Sequence, residues 1–400
     1  MNNIQRTTTV CFLAYFVMSG MMNPVGIITG LMAEYFNQPI TRITANFSWF
    51  TGGIFVGSLA ALIIYEWVSL KSALLVIYGL VLLSLISLPF HSDLPGIWLA
   101  LGLVGACCGA GLSGAAITIS KSYEQERRAS MLVITDGCFS IAGIVTSWLA
   151  VQLVVRNIQW YGTYLFIALI TCIIIALTSL STFPDHQTKG RFQEGTARES
   201  WPIGTWICIF ALFIYTLSQY SLFLWLPNYA ETRLGATLDE AGLIVGRFWT
   251  GMLVAQIFSA WWVLKIGVRR TLFIGTLASA LATIPLWGYQ DIDGLVLFAF
   301  VCGVVNLGLL KITLSLATQM MRMPPPRLVS ALLLGATTGT SIAPWVSSRI
   351  VEMSNNYVVL VVASAGYFVV LALVTLAIKL APEQLAGNTG KEPMRAPTRP

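Results

Sequence analysis

Charge is scarce in this chain: charged residues make up 10% of its 400 positions and hydrophobic ones 56%. An ordinary soluble domain, about a quarter charged, does not look like this. Histidine is scarcer still, with only His91 and His186, both in loops. No metal-ligand cluster and no nucleophile–base spacing accompanies them, which argues against an enzyme and leaves no metal or cofactor to expect. No Gly-x-x-x-x-Gly-Lys-Ser/Thr segment is present to cradle phosphates, which argues against a nucleotide-driven pump. The seven cysteines, Cys11, Cys107, Cys108, Cys138, Cys172, Cys208 and Cys302, all fall in apolar runs without disulfide spacing, and read as packing residues. A secretory signature is also missing: the first apolar run is too long and no small-residue cleavage site follows it, so it is expected to stay as a first helix.

What is present is a series of long apolar runs. A bilayer-spanning helix needs about 20 mostly apolar residues, and twelve runs qualify. The first six are Thr9–Leu31, Phe47–Tyr65, Ala73–Phe90, Gly96–Ile119, Ser130–Val154 and Tyr161–Ser181. The second six are Ile203–Leu226, Ala241–Leu264, Thr271–Tyr289, Gly294–Met320, Leu328–Ser348 and Tyr357–Leu380. With the N-terminus inside, seventeen loop lysines and arginines, from Arg6 to Arg399, fall on the cytoplasmic side. Only Arg42, Arg156, Arg233 and Arg349 fall outside, a bias that sets both termini in the cytoplasm. The net charge of +6 is thus a topology signal, and no nucleic-acid partner is needed to explain it.

The chain divides into a six-helix half, 1–182, a polar linker, 183–202, a second six-helix half, 203–380, and a polar tail, 381–400, expected to be disordered. The halves are weakly self-similar. A shift of 200 residues aligns Ser130, Leu132 and Ser147 with Ser330, Leu332 and Ser347. A shift of 198 aligns Gly105 with Gly303 and sets Ser113 opposite Lys311. This fits repeats related by an axis along the membrane normal.

Three ionisable residues fall within the runs: Asp136, Arg247 and Lys311. Lys311 lies about 17 residues into its run, or 25 Å of rise. Intramembrane charges face protein or water, so it belongs either to a water-accessible cavity or to a structural pair with another polar helix. Gly308, Lys311, Ser315 and Gln319 share its helical face. Arg247 lies close enough to the outer end to act as an interface anchor, or else to hold a carboxylate or phosphate. Asp136 sits near the start of the fifth run, close in sequence to Arg127 and Arg128. It reads as a brace at a helix N-terminus or as the one carboxylate candidate for proton coupling. Among neutral residues, Tyr15, Ser19, Asn23, Gly26 and Gly30 follow one face of the first helix beside Pro24, and Tyr215 shares a face with Gln219. Asn306, Tyr215 and Gln219 are candidates for hydrogen bonds to cargo, since unpaired polar groups are expensive at that depth.

Several strings carry a family resemblance. They are Thr135-Asp-Gly-Cys-Phe-Ser-Ile-Ala-Gly143, Arg156-Asn-Ile-Gln-Trp-Tyr161, Gln219-Tyr-Ser-Leu-Phe-Leu-Trp-Leu-Pro-Asn-Tyr229 and Asp239-Glu-Ala-Gly242. On these the chain resembles the major facilitator superfamily, and within it the TsgA-type proteins near the fucose–proton symporter branch. The resemblance implies an all-α membrane protein of twelve helices in two six-helix halves, with the first, fourth, seventh and tenth helices lining a central cavity. The fourth helix presents Gly105, Gly109, Ser113 and Ala116, a small-residue face suited to close packing. Two departures matter: Tyr65 to Ser72 lacks the superfamily's Gly-x-x-x-Asp-Arg-x-Gly-Arg-Arg loop, and the branch's carboxylates in helices one and four are replaced by Gly26 and Ser113.

The expected function is a secondary transporter in a bacterial inner membrane, working by alternating access on a small polar solute: a sugar, a sugar acid or another organic anion. Substrate-binding candidates are Lys311, Asn306, Gln219, Tyr215, Asn23, Ser113 and Arg247, with Asp136 for proton coupling. Partners are the solute, protons and the bilayer, and one chain is expected to suffice as a monomer. A facilitated-diffusion carrier and a transporter-shaped sensor are the alternatives left open.

Overall fold

A computed structural model describes residues 2–91, 93–123, 125–184, 201–287, 291–306, 308–321 and 326–381. The expected linker and tail lie almost wholly outside these residues. The first half is built from α1 (Asn3–Met22), α2 (Val25–Tyr35), α3 (Ile40–Trp67), α4 (Leu70–Ser87), α5 (Leu94–Ser122), α6 (Gln125–Val155) and α7 (Gly162–Ser179). The second half is built from α8 (Ile203–Leu234), α9 (Leu238–Ile266), α10 (Val268–Ala282), α11 (Ile292–Val305), α12 (Leu309–Gln319), α13 (Pro326–Met353) and α14 (Asn356–Leu380). Eleven helical segments among the described residues are long and apolar enough to span a bilayer, and α1 with α2, bent by 49°, makes a twelfth. Hydrocarbon offers no partner for backbone N–H and C=O groups, so helices are the element this composition permits.

Helix ends carry the chemistry that stops them. Asn2 and Thr237 begin α1 and α9 with capping boxes closed by Gln5 and Glu240. Ser69, Asp93, Asp291 and Asn355 cap α4, α5, α11 and α14 from their side chains. Several helices overrun the apolar runs: α8 continues to Leu234, and α6 starts at Gln125 rather than Ser130.

Two spans are broken. Pro24 lacks an N–H and interrupts the first between Met22 and Val25. The tenth breaks between α11 and α12, where Gly308 takes φ +62°, a conformation that glycine adopts without steric cost. This corrects the expectation of one continuous tenth helix. Lys311 stands in the first turn of α12, not many turns along an unbroken rod.

The repeat is legible in the packing. A methyl group placed on Gly105 would sit 1.9 Å from the Phe50 carbonyl oxygen, and one on Gly303 would sit 2.1 Å from that of Phe248. Gly53 meets the Gly102 carbonyl and Ala106 nitrogen as Gly251 meets those of Phe300 and Val304, each residue displaced by 198 positions. These glycines let α3 press on α5, and α9 on α11, backbone to backbone. A second correspondence, displaced by 197, is a hydroxyl bonded to a facing carbonyl: Ser19 to Phe139 at 2.5 Å, and Thr216 to Ala336 at 2.7 Å.

The halves meet along three seams, α3 on α13, α6 on α9 and α2 on α8. At the first, Thr51 donates to the Ser341 carbonyl at 3.0 Å and Ser341 donates back to the Thr51 carbonyl at 2.8 Å. The start of α1 and the end of the first half lie on one face, the terminal face, where the Asn3 side chain exchanges hydrogen bonds with Thr182. On the opposite, far face one apolar core crosses between the halves and takes in Leu224, Trp225, Val359 and Leu360 beside first-half residues. Toward the terminal face the second half has a core of its own, from Cys208 to Ala381. Apolar packing thus joins the halves on the far side, whereas toward the terminal face the second half packs in a cluster of its own.

Candidate functional site

The Lys311 Nζ forms an ion pair with the Asp136 Oδ2. α12 packs on α8, α10 and α13 of its own half, whereas Asp136 belongs to α6 of the other. The pair thus spans the division between the halves. The two side chains are 51% and 24% exposed, so the contact is not sealed in a dry core. A cation in the first turn of a helix opposes the helix dipole, and the Asp136 carboxylate offsets that penalty. Below Lys311 the same face of α12 carries Ser315 and Gln319, joined by a 3.4 Å hydrogen bond from the Gln319 amide.

Asp136 had been expected near a helix N-terminus. Because α6 begins at Gln125, it stands about three turns in, beyond the reach of terminal dipole stabilisation. The side chains of Arg127 and Arg128 lie outside the described residues, and the cation Asp136 meets is Lys311.

A second polar group fills the break between α11 and α12. Asn306 ends α11 and is 2% exposed. Its Oδ1 accepts from the Tyr215 hydroxyl at 2.8 Å, and its Nδ2 donates to the Tyr367 hydroxyl at 3.5 Å. Gln219, one turn along α8, reaches the Tyr215 phenol as well. The structure thus brings Tyr215, Gln219 and Asn306 together. Tyr367 is the member that sequence reasoning missed; its signal was a polar face on α14, where it follows Ser364 by three residues amid apolar neighbours.

Asn23, in the break of the first span, is 6% exposed and donates to Ser19 at 2.6 Å, while Ser19 donates to the Phe139 carbonyl. Tyr15 on the same face meets Thr135. The polar face of α1 therefore packs on α6, and residues 135–139 of α6 touch both broken spans: the first through Tyr15 and Ser19, the tenth through Asp136.

The remaining candidates stand apart. The Ser113 hydroxyl bonds back to the Gly109 carbonyl of its own helix at 3.1 Å. Gly105 and Gly109 press on α3, as a packing face would. Arg247 is exposed and aligned with exposed Leu243, and no ion pair joins it to a described residue. Gly26 packs against α8, where a methyl group would meet the Phe223 carbonyl oxygen at 2.6 Å. A carboxylate has no room there in this conformation. Among the described residues no three His, Cys, Asp or Glu side chains gather in a group suited to a metal ion.

Comparison with known proteins matches residues 11–236 and 208–400 to the Major Facilitator Superfamily model. A Protein TsgA homolog of Edwardsiella ictaluri is 28% identical over 395 residues, covering 98% of this chain and 99% of the relative. Protein TsgA of Shigella dysenteriae is 28% identical over 377 residues, covering 93% and 94%. Among solved structures, a point mutant of the nucleoside transporter NupG superposes with a TM-score of 0.73 at 14% identity, over 94% of this chain and all of that one. A D-xylose–proton symporter gives 0.73 at 12% identity, over 96% and 98%.

Proposed function

The chain belongs to the major facilitator superfamily of membrane transporters, and from that premise we propose a secondary transporter that moves a small polar solute across a bacterial inner membrane by alternating access. The solute is a sugar, a sugar acid or another organic anion. The terminal face is the cytoplasmic one, in keeping with the bias of lysine and arginine toward that side.

One observation carries the reading: the Lys311–Asp136 ion pair joins the two halves where they meet, with both side chains partly exposed. Widening that division separates the charges. Breaking a fully buried pair costs about 3–5 kcal/mol, less where water reaches it. A proton on Asp136, or an anionic group of the solute on Lys311, removes much of that cost. The pair thereby links the movement of the halves to a proton, to the cargo, or to both. The bacterial relatives and the fold shared with a nucleoside transporter and a D-xylose–proton symporter support this reading.

The test compares gluconate with glucose as stabilisers of the purified protein, in wild type and Lys311→Ala, followed by solute counterflow in proteoliposomes. A ligand that binds only the folded state raises its stability with occupancy. The expected result is stabilisation by the anion, lost in the variant, together with counterflow that the variant abolishes while its membrane insertion is intact. Normal counterflow by Lys311→Ala overturns the role given to the pair. Binding without counterflow in wild type makes the protein a sensor.

A further inference from the structure

Where the halves meet on the far side, polar groups are buried without partners. Ser147, Tyr220, Trp249 and Ser348 are 0%, 5%, 5% and 1% exposed. Their three hydroxyls and the Trp249 indole N–H find no hydrogen-bond partner among the described residues. Each stands on one of the three seams. Ser348 lies about two turns along α13 from Ser341, on the face that meets α3. Ser147 lies one turn from Gly143, where a methyl group would meet the Trp249 ring, and one turn from Val151, which a methyl group on Gly242 of α9 would meet. Trp249 itself packs on Phe139 of α6 with ring centroids 5.4 Å apart. Tyr220 precedes Leu224, whose carbonyl faces Gly26 of α2, by one turn, and it shares the cross-half core with Tyr164.

Nearer the terminal face the same seams pair their polar groups. Thr51 and Ser341 exchange hydrogen bonds between α3 and α13. The Ser140 hydroxyl donates to the Gln256 Oε1 at 3.2 Å between α6 and α9. Two turns farther toward the far face, Ser348 and Ser147 stand on the same helix faces as Ser341 and Ser140, with nothing described to bond. Pairing along both seams therefore stops part of the way across.

Burying an unpaired hydroxyl or N–H costs more than burying an apolar group of the same shape. A seam that never opened would be better served by alanine and phenylalanine at these places. Parting the halves on the far side would give each group water. We propose that Ser147, Tyr220, Trp249 and Ser348 form the wall of a far-side passage for the solute in a second conformation of the protein, an inference that rests on the alternating access proposed above. The wall is uncharged: its hydroxyls donate and accept, and its indole N–H donates. It adds neutral hydrogen-bonding groups to the charges of the Lys311–Asp136 pair.

The experiment introduces Ser147→Cys and Ser348→Cys singly and treats right-side-out membrane vesicles, which present the far face outward, with 2-(trimethylammonium)ethyl methanethiosulfonate. This reagent does not cross the bilayer, and fragment mass reports each modified thiol. Thr171→Cys and Ser364→Cys are the controls. Both positions are 0% exposed, but they lie on α7 and α14 and their hydroxyls bond within their own halves. Reaction at a buried thiol follows the population of the opened state, so each seam cysteine should react at least about tenfold faster than the control in its own half. Tyr220→Phe, added to Ser348→Cys, should slow that reaction about fivefold, because opening no longer hydrates the lost hydroxyl. A seam cysteine no faster than its control, or a reaction unchanged or quickened by Tyr220→Phe, overturns the passage. Either seam decides if the other variant does not insert. Gluconate counterflow by the same variants in proteoliposomes separates this inference from the transport reading. Counterflow with unreactive seam cysteines overturns the passage alone, and reactive seam cysteines without counterflow overturn the transport reading alone.

Discussion

Removing either partner of the Lys311–Asp136 pair should shift the halves apart at the terminal face. The magnitude follows from exposure. Fully buried pairs cost about 3–5 kcal/mol to break and exposed ones about 0.2–1 kcal/mol. With Lys311 51% and Asp136 24% exposed, the pair lies between these limits. A coupling of about 1–2 kcal/mol is reasonable, which multiplies the population of the separated state about five- to thirtyfold.

The assay is a distance distribution between spin labels at Trp67 and Leu380. Both are exposed, and they stand near the terminal face on opposite halves. Lys311→Ala and Asp136→Asn should each raise the long-distance population by that factor. The double variant should exceed the larger single effect little or not at all, because the second substitution has no interaction left to remove. Residues that do not interact add within about 0.3–0.5 kcal/mol. Additive single effects within that margin, or no shift in either variant, would refute the claim that the pair holds the halves together.

Other consequences follow from the packing. Gly57→Ala should destabilise the α3–α5 contact, because its methyl group would fall 1.8 Å from the Ala106 carbonyl oxygen. Overpacking costs about 1–3 kcal/mol, readable as a lower unfolding temperature. Ser341→Ala removes one of the two reciprocal bonds to Thr51 and should lower stability by about 0.6 kcal/mol, the average for such bonds between membrane helices. Asn306→Leu deletes the partner of both Tyr215 and Tyr367 at the break. It should impair solute counterflow more than Gln219→Leu does, and equal effects would deny the break a special role.

The helix count and the two-half plan were legible because hydrocarbon imposes one rule on every span: about 20 apolar residues with internally paired backbone. The offset of 198 was visible at Gly105 and Gly303, and became evidence once Phe50 and Phe248 occupied equivalent places against them. Lys311 and Asp136 were legible as anomalies, since each charge interrupts an apolar run. Their pairing was not, because it depends on how two distant helices meet across the halves. The break at Gly308 was hidden for a different reason. A lone glycine in an apolar run also suits close packing, as Gly303 shows five residues earlier, and only the positive φ separates the two uses.

The two faces close by different physics, and Gly26 tests this. On the far face, no charge pair is recorded between the halves among the described residues; closure there rests on apolar contact and on α2 lying against the α8 backbone. Gly26 sits at that contact, where a methyl group would fall 2.6 Å from the Phe223 carbonyl oxygen and 3.2 Å from that of Leu224. Backbone oxygens cannot swing aside as a flexible side chain can, so the helices must part. Gly26→Ala should therefore disfavour far-face closure by about 1–3 kcal/mol, visible as a longer distance between labels at Tyr35 and Met353, both exposed near that face. The terminal face, held by the ion pair, should instead respond to salt, because screening weakens a half-exposed pair. Raising ionic strength should lengthen the Trp67–Leu380 distance and leave Tyr35–Met353 unchanged, and Gly26→Ala should not enhance the salt response. A far-face distance that follows salt as closely as the terminal one would remove the distinction.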